Sequence, residues 1–388
     1  MGNTLLLCLF FVLLARVPST PQSQPYQEPL IPTSEAHAQP TATPRDRTSG
    51  PLLTPQFDLA PQPTPEPYTL RWRVGVGVPE FNPLLFQWPE QRPGWYLNWS
   101  ADLNHDSPRT NDLPDHLYLE PPTELGMGMS FAPMVRVKAG KIAVPLETVT
   151  RLATENPGHL WLIGNEPDVR WQDNTAPEPY AVAYHDLYTT IKAADPTAQV
   201  AIGGISQVTP LRLRYFERIL AHYEAEYGTP MPVDVWNIHV FVLREEADNW
   251  GVDIPPGFDS VTDGVLWEVE DHDDLRLVEN QIRLMRRWMA ARGEREKPLV
   301  ITEYGILMPE EYGFPPENVA AFLRDSFDLF DQLRDPDLGY PTDDNRLVQR
   351  WVWFSSRYHL YPTGDLFTAE GRPTYLMETI DDYLRERQ

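Results

Sequence analysis

The chain alternates short apolar runs with longer amphipathic stretches, and this alternation limits the folds open to it. Eight runs carry large apolar residues without a helical period and are bounded by polar or turn-forming residues, which is typical of buried strands. They are Trp72 to Val78, Trp95 to Trp99, Ala132 to Val137, Leu160 to Ile163, Val200 to Gly203, Val235 to Val240, Leu299 to Thr302 and Val348 to Phe354. Eight parallel strands close a barrel, so the sequence predicts an α/β fold of the (β/α)8 or TIM-barrel class.

Helices are predicted between the later strands. In the stretch from Asp274 to Ala291, apolar residues at spacings of three and four, such as Ile282, Met285 and Met289, give the helix one face for the sheet. The other predicted helices are Leu146 to Glu155, Pro179 to Ala194, Leu211 to Tyr227, Asn318 to Leu333 and Thr374 to Arg387. The region from Pro79 to Met129 is rich in loop residues and predicts no clear helix.

The amino-terminal part differs in composition from the rest. The apolar run from Leu5 to Ala15 is too short to span a bilayer and has the length of a signal-peptide core, so we expect residues 1–20 to be a signal peptide. Residues 21–67 are rich in Pro, Thr, Ser and Gln, which predicts a disordered, extended tether or a plain disordered leader. The barrel domain then covers residues 68–388. We expect a secreted or cell-surface protein whose mature domain does not insert into a membrane.

Charge and cysteine content narrow the possible partners. The formal net charge of −24 argues against nucleic acid, whose phosphates need clustered Lys and Arg, and favours a neutral substrate. The single cysteine, Cys8, lies in the apolar leader, so the domain has neither a disulfide nor a zinc-thiolate site. Nothing in the sequence indicates an oligomeric state.

Two predicted strands end in a glutamate, the fourth in Glu166 and the seventh in Glu303. Side chains alternate along a strand, so we expect Leu162, Gly164 and Glu166 to share one face, with Gly164 leaving space beneath the carboxylate. The carboxyl ends of the strands of a parallel barrel form its active-site face. Two carboxyl groups there match the requirement for cleaving a glycosidic bond, which needs one acid and one nucleophile or base.

The motifs around these glutamates carry a family resemblance. Asn-Glu-Pro from Asn165 to Pro167, with Thr-Glu-Tyr-Gly from Thr302 to Gly305, resembles the signature of the clan A retaining glycoside hydrolases. The similarity extends from about Trp72 to the end of the chain. Within the clan, the chain is similar to the family 39, family 5 and family 128 groups, and the sequence does not choose among them. The resemblance implies an eight-fold barrel with catalytic glutamates on strands four and seven.

The resemblance also implies roles for individual residues. Glu166 would be the general acid and base, and Glu303 the nucleophile that forms a glycosyl-enzyme intermediate. Asn165 would hydrogen-bond the sugar 2-hydroxyl, a contact that strengthens in the transition state. His239 would border the nucleophile, and Trp353 would form a platform under the sugar.

Other positions are less determined. Trp353 is favoured over Trp351 for the inward face because it lies nearer the strand end. Many clan members carry a tyrosine where this chain has Phe241, and Tyr304 or another hydroxyl is a candidate replacement. Trp171 and Tyr180, which follow the fourth strand, are candidates for stacking on sugar.

Structural interpretations of the same residues remain open. Asn165 and Pro167 are also typical of the start of a helix, and His239 of a hydrogen-bonded core histidine. The long acidic loop from Leu243 to Asp273 contains Trp250 and Trp267, which either bind sugar or fix the loop to the domain.

The sequence therefore predicts a retaining O-glycosidase that hydrolyses β-glycosidic bonds of an oligo- or polysaccharide by double displacement. It predicts no metal and no organic cofactor. A transglycosylase, or a carbohydrate-binding protein without turnover, is the alternative. A retaining mechanism requires carboxyl groups about 5 to 5.5 Å apart, against about 6.5 to 9.5 Å for inversion. Which sugar is bound, and whether cleavage is internal or terminal, is not specified.

Overall fold

The structure is a computed structural model, and it describes residues 61–79, 83–101 and 127–387. The predicted signal peptide and the tether as far as residue 60 lie outside the described residues, as do residues 102–126 of the predicted domain. Among the helices of the described ranges, none combines the length and apolarity needed to span a membrane.

The described residues form eleven strands, most of them parallel. They are β1 Val74–Gly77, β2 Trp95–Leu97, β3 Ser130–Phe131, β4 Met134–Val135, β5 Val137–Lys138, β6 Lys141–Ile142, β7 Leu160–Asn165, β8 Gln199–Gly204, β9 Trp236–His239, β10 Leu299–Tyr304 and β11 Arg350–Trp353. One sheet has the order β3-β2-β1-β11-β10-β9, and a second has the order β4-β7-β8. Strands β5 and β6 form a third sheet, a small antiparallel hairpin, whereas all pairs in the other two sheets are parallel.

The two parallel sheets are adjacent at both of their ends. At one end the chain passes from β3 to β4 through two residues, and Ala132 N–H still donates to Tyr96 O of β2 at 2.9 Å. At the other end, parallel bridges join Ala201 to Val235 and Ile205 to Ile238, which places β8 beside β9.

Seven helices are described between and around these strands. They are α1 Leu70–Arg73, α2 Leu146–Glu155, α3 Pro177–Ala194, α4 Pro210–Tyr227, α5 Leu275–Ala291, α6 Pro316–Gln332 and α7 Tyr375–Glu386. Their ends follow local rules. Helix α4, for example, begins after Thr209, whose hydroxyl accepts from Arg212 N–H, and ends at Gly228 in the left-handed conformation.

The strands bury both of their faces. Side chains from strands of both sheets, including Leu97, Leu162, Val300 and Val352, meet in one cluster, here called the strand-face cluster. The opposite faces pack against the helices in a larger core. Burial on both faces explains why these strands read as continuous apolar runs rather than as alternating patterns.

The predicted elements are largely present, with two corrections. Each of the eight predicted strand regions contains a strand, and all six predicted helices are found with ends within two residues of prediction. The first strand begins later than predicted, because Trp72 and Arg73 complete helix α1. The third predicted strand is interrupted, since Arg136 separates β4 from β5.

Candidate active site

Glu166 follows the last residue of β7 and is held by an unusual backbone conformation. Its φ is +42°, and its N–H donates to Gly204 O of β8 at 2.9 Å. A left-handed conformation is costly for a residue with a side chain, so it indicates a position fixed by its surroundings. The side chain is 11% exposed.

The predicted role of Gly164 is wrong. A side chain there would point toward Tyr180 of α3 and Asp173 rather than beneath the Glu166 carboxylate. The reason is the φ of +86° at Gly164, which breaks the simple alternation of side chains along the strand.

Glu303 lies on β10 at a strand irregularity. The register against β9 shifts between Ile301 and Glu303, so that Glu303 pairs with His239. A bulge re-aims side chains, and here both Thr302 and Glu303 approach the imidazole of His239. The Glu303 side chain is 7% exposed.

His239, at the end of β9, lies between the two glutamates. Its Nδ1 is 2.9 Å from Glu166 Oε1, and its Nε2 is 3.7 Å from Glu303 Oε1. One ligand atom from each of the three side chains lies within 4.8 Å of the others. The predicted pair of carboxyl groups is therefore brought together, with the histidine as a bridge.

Hydrogen bonds behind His239 constrain its protonation. The Thr302 hydroxyl donates to Asn237 Oδ1 at 2.8 Å, so its oxygen accepts from Nε2–H of His239 at 3.1 Å. A neutral His239 with its hydrogen on Nε2 then accepts a hydrogen bond at Nδ1 from a protonated Glu166, whereas a doubly protonated His239 donates one to an ionised Glu166. In either arrangement one proton lies between Glu166 and His239.

Burial and neighbouring charges shift the pKa values of this group. Burial lowers the pKa of His239, but the carboxylates of Glu303 and Glu166 outweigh that effect and raise it overall. The pKa of Glu303 is raised to about 7, mainly by burial and also by the charge of Glu166, against the lowering effects of His239, Trp99 and Arg136. The site therefore retains a proton near neutral pH, as a pair of interacting acids does.

Asn165 is fixed by an anchored polar cluster. Its N–H donates to Asp173 Oδ2 at 2.8 Å, and its Nδ2 lies 3.5 Å from Gln172 Oε1. Arg136 in turn donates from Nε to Asp173 Oδ1 at 2.5 Å and from Nη2 to Gln172 Oε1 at 3.1 Å. The buried Oδ1 of Asn165 has no hydrogen-bond partner among the described residues, so it is free to accept from a ligand.

Two predicted substrate-binding residues lie elsewhere. Tyr304 is 1% exposed, and its hydroxyl is 3.2 Å from Ser326 Oγ on α6. Trp353 is fully buried, packs edge-on against Tyr304 at 5.4 Å and donates from Nε1 to Gly364 O at 2.8 Å. Both side chains are buried in the core between strands and helices, a position that does not support the predicted contacts with sugar.

The prediction that Trp353 rather than Trp351 occupies the inward face is also wrong. Residues two apart on a strand share a face, so both tryptophans point toward the helices. Trp351 packs against Phe327 and Phe330 of α6. The next residue on the opposite face, Phe354, lies at the site instead and packs against Phe241 at 6.4 Å.

The position that lacks a tyrosine is filled by a different donor. Phe241 is buried edge-on to His239 at 6.3 Å. The indole N–H of Trp99 donates to Glu303 Oε1 at 2.7 Å. Trp99, Thr302 and Asn237 were not predicted to be site residues. The signals available in the sequence are the location of Trp99 at the end of the second predicted strand and that of Thr302 directly before Glu303.

Of the candidate sugar-stacking residues, the three tryptophans lie on loops, whereas Tyr180 is fully buried on α3 and donates from its hydroxyl to Ile163 O at 2.6 Å. Trp171 is 36% exposed, and the guanidinium of Arg170 lies 4.7 Å from the centre of its ring. Trp250 packs at the edge of an apolar cluster containing Phe241 and Phe354, whereas Trp267 packs against the main core.

Buried charges anchor the long loop after β9. Arg212 of α4 forms ion pairs with Asp168, in the loop that follows Glu166, and with Glu245, and all three side chains are fully buried. Arg212 also donates to Asp253 O at 2.9 Å, and Glu245 accepts from Val265 N–H at 2.9 Å. The long loop is therefore fixed to the segment that carries Glu166.

Glu166, His239 and Glu303 are also the one group of three in the described residues whose spacing could hold a metal ion. Both nitrogens of His239 already have hydrogen-bond partners, Glu166 and Thr302. A metal would need one of these bonds to break, because a ligating nitrogen must offer its lone pair.

Comparisons with known proteins agree with the fold. No protein-family model and no curated protein matches the sequence. A family 128, subgroup II endo-β-1,3-glucanase from Sorangium cellulosum is similar in structure, with 16% identity over 80% of this chain and 97% of that chain, at a TM-score of 0.50. A family 128, subgroup III exo-β-1,3-glucanase from Blastomyces gilchristii shows 17% identity, coverages of 80% and 98%, and a TM-score of 0.49.

The chain shares its fold with a family 128 glycoside hydrolase. Of the three clan A families that the motifs resemble, family 128 is thus supported at the level of fold.

The raised pKa of Glu303 predicts a pH-dependent gain in stability for Glu303→Gln. The folded state binds this proton more tightly than the unfolded chain, so wild-type stability is fullest below pH 4.5 and falls as the pH rises to about 7. Glutamine does not titrate. We therefore expect the free energy of unfolding of Glu303→Gln, taken relative to wild type, to be about 2 to 3 kcal/mol higher at pH 8 than at pH 4.

Urea unfolding at both pH values measures this difference. Glu147→Gln, on the exposed side of α2, serves as the control. Its free energy of unfolding relative to wild type should differ between the two pH values by less than about 0.5 kcal/mol. A Glu303→Gln difference that stays constant with pH would contradict the proposed burial of a titrating acid.

Proposed function

We propose that the chain is a retaining glycoside hydrolase that cleaves β-linked glycans by double displacement. The observation that carries the proposal is the closeness of Glu166 and Glu303. One carboxylate oxygen of Glu166 lies within 4.8 Å of one of Glu303. A spacing this short suits direct attack by one carboxylate better than the wider separation that inversion uses.

The surroundings of the two glutamates support different roles. Glu166 shares a proton with His239, so it suits the general acid that protonates the departing sugar oxygen. Glu303 receives an N–H bond from Trp99, which favours its ionised form against the rise in pKa that burial causes, and this suits the nucleophile. The roles agree with those that the clan A resemblance implies.

In the first step an oxygen of Glu303 forms a bond to the anomeric carbon. The bond from that carbon to the leaving oxygen breaks, and the leaving oxygen takes its electron pair together with the proton of Glu166. In the second step Glu166, now a carboxylate, takes a proton from water, whose oxygen bonds to the same carbon and releases Glu303. Asn165 Oδ1, buried and without a partner among the described residues, is suited to accept from the sugar 2-hydroxyl.

The fold proposed for this site is a closed eight-stranded barrel. The adjacency of β3 to β4 and of β8 to β9 supports closure of the two sheets into one ring. The strand-face cluster, which draws residues from both sheets, would then be the interior of the barrel. We further propose that residues 1–20 direct export and that residues 21–67 tether the domain.

A β-1,3-glucan is the substrate to test first. The Sorangium cellulosum protein that shares the fold is named as an endo-β-1,3-glucanase. The active site of this chain would bind a neutral polysaccharide, which agrees with its net charge of −24.

Glu166→Ala and Glu303→Ala test the two roles. We expect each to lower kcat on β-1,3-gluco-oligosaccharides or their aryl glycosides by at least about 100-fold, because each removes a group that acts in the transition state. Azide should rescue Glu303→Ala with an α-glycosyl azide as product, and Glu166→Ala with a β-glycosyl azide. Products and their anomers are followed by NMR.

The same experiment separates the alternatives. Products longer than the substrate would indicate a transglycosylase, and binding of the whole panel without turnover would indicate a carbohydrate-binding protein. Full activity in either alanine variant would contradict the assigned roles.

We propose that turnover needs no metal ion, because both nitrogens of His239 are occupied by protein partners. Wild-type kcat/KM should be unchanged after dialysis against excess EDTA. Loss of activity that returns on adding a divalent cation would overturn this proposal and assign the ion to Glu166, His239 and Glu303.

A further inference from the structure

Trp99 makes a direct contact with the proposed nucleophile. It lies just after β2, and its indole N–H donates to Glu303 Oε1 at 2.7 Å. A hydrogen bond from a neutral donor to a carboxylate is stronger than one between two neutral groups. With only a donor to offer, the indole cannot exchange protons with the acid.

The surrounding strands are built to hold this indole. Trp99 has a φ of +58°, a conformation that costs a residue with a side chain about 1 kcal/mol. A Cβ added at Gly77 of β1 would lie 2.7 Å from Trp99 Cη2, so only glycine leaves room for the ring. Phe354, after β11, packs edge-on against it at 5.7 Å.

Other side chains that could hold Glu303 are arranged differently. Phe241 has no hydroxyl, and the hydroxyl of Tyr304 is on the helix side, near Ser326. His239 Nε2 approaches the same oxygen, Oε1, but at 3.7 Å. Among the described residues, none forms a hydrogen bond with Glu303 Oε2.

We propose that Trp99 is a positioning residue that fixes the nucleophile through Oε1, so that Oε2 is the atom that attacks the anomeric carbon. This inference rests on the proposed glycosidase function. When Oε2 forms its bond to carbon, the carboxylate becomes an ester and Oε1 its carbonyl oxygen. The bond from Trp99 is weaker to that neutral carbonyl, and it strengthens again when water attacks and the carboxylate leaves. Trp99 therefore also promotes release of the sugar.

Trp99→Phe removes the donor and keeps an aromatic ring. We expect the pKa of Glu303 to rise by about one unit, because the ionised form loses a hydrogen bond. We expect kcat/KM on an aryl β-glucoside or laminari-oligosaccharide to fall about 10-fold, with the acid limb of its pH profile moved upward. The pKa is measured by carbon-13 NMR of labelled glutamate, with the Glu303 signal assigned by its loss in Glu303→Gln.

A second variant and a matched control guard against a purely structural effect. Gly77→Ala displaces the indole without altering Trp99 or Glu303, and should shift the titration in the same direction. Trp288→Phe, on α5, is the matched control, because it removes an indole N–H that donates to Glu217 Oε1 at 3.3 Å. This contact is far from the site, so the variant should leave both the Glu303 titration and the kinetics unchanged.

The outcomes distinguish this proposal from the proposed function. An upward shift in Trp99→Phe and Gly77→Ala, absent in Trp288→Phe, supports the role of Trp99. An unchanged Glu303 titration in both variants overturns it, even if wild type is an active glycosidase. If wild type turns over no β-glycoside, the glycosidase proposal fails, and the NMR titration still decides whether Trp99 holds Glu303.

Discussion

The burial of two carboxyl groups beside one histidine is the interaction on which the rest of the site depends. At low effective dielectric, two negative charges with oxygens within 4.8 Å repel strongly, so the site keeps a proton that an exposed pair would lose. His239 lies where that proton is needed, 2.9 Å from Glu166. In the proposed mechanism, the same burial that would destabilise a structural protein supplies both an acid and a nucleophile.

The remaining structure holds these three groups in place. Thr302 and Asn237 fix the imidazole from behind, and Arg136 fixes the cluster that carries Asn165. The ion pairs of Arg212 tie the loop that follows Glu166 to the long loop after β9. Breaking such a buried pair leaves an uncompensated charge, so these contacts keep the loops in one arrangement.

The sequence predicts the strands and the two glutamates because both leave strong local signals. Buried parallel strands are continuous apolar runs, and an acid at the end of such a run is conspicuous. The motifs around Glu166 and Glu303 add a resemblance that agrees with the fold.

Details that depend on backbone irregularity could not be predicted. Strict alternation predicts the wrong face for Gly164, because the left-handed backbone at this residue turns the position toward the opposite face of the strand. The bulge before Glu303 lets neighbouring residues approach His239 together, which a regular strand forbids. Trp353 and Trp99 each lie near the end of a predicted strand, yet Trp353 packs under α6 and Trp99 donates to Glu303, because their packing partners differ.

Trapping the glycosyl-enzyme tests the central claim most directly. A 2-deoxy-2-fluoro β-glucoside or β-laminaribioside with an activated leaving group slows both steps and favours accumulation of the intermediate, which intact-mass and peptide mass spectrometry then locate. The account predicts one added glycosyl group per chain, attached to Glu303 and absent in Glu303→Gln. Attachment to Glu166, or rapid turnover with inversion at the anomeric carbon and no adduct, would contradict it.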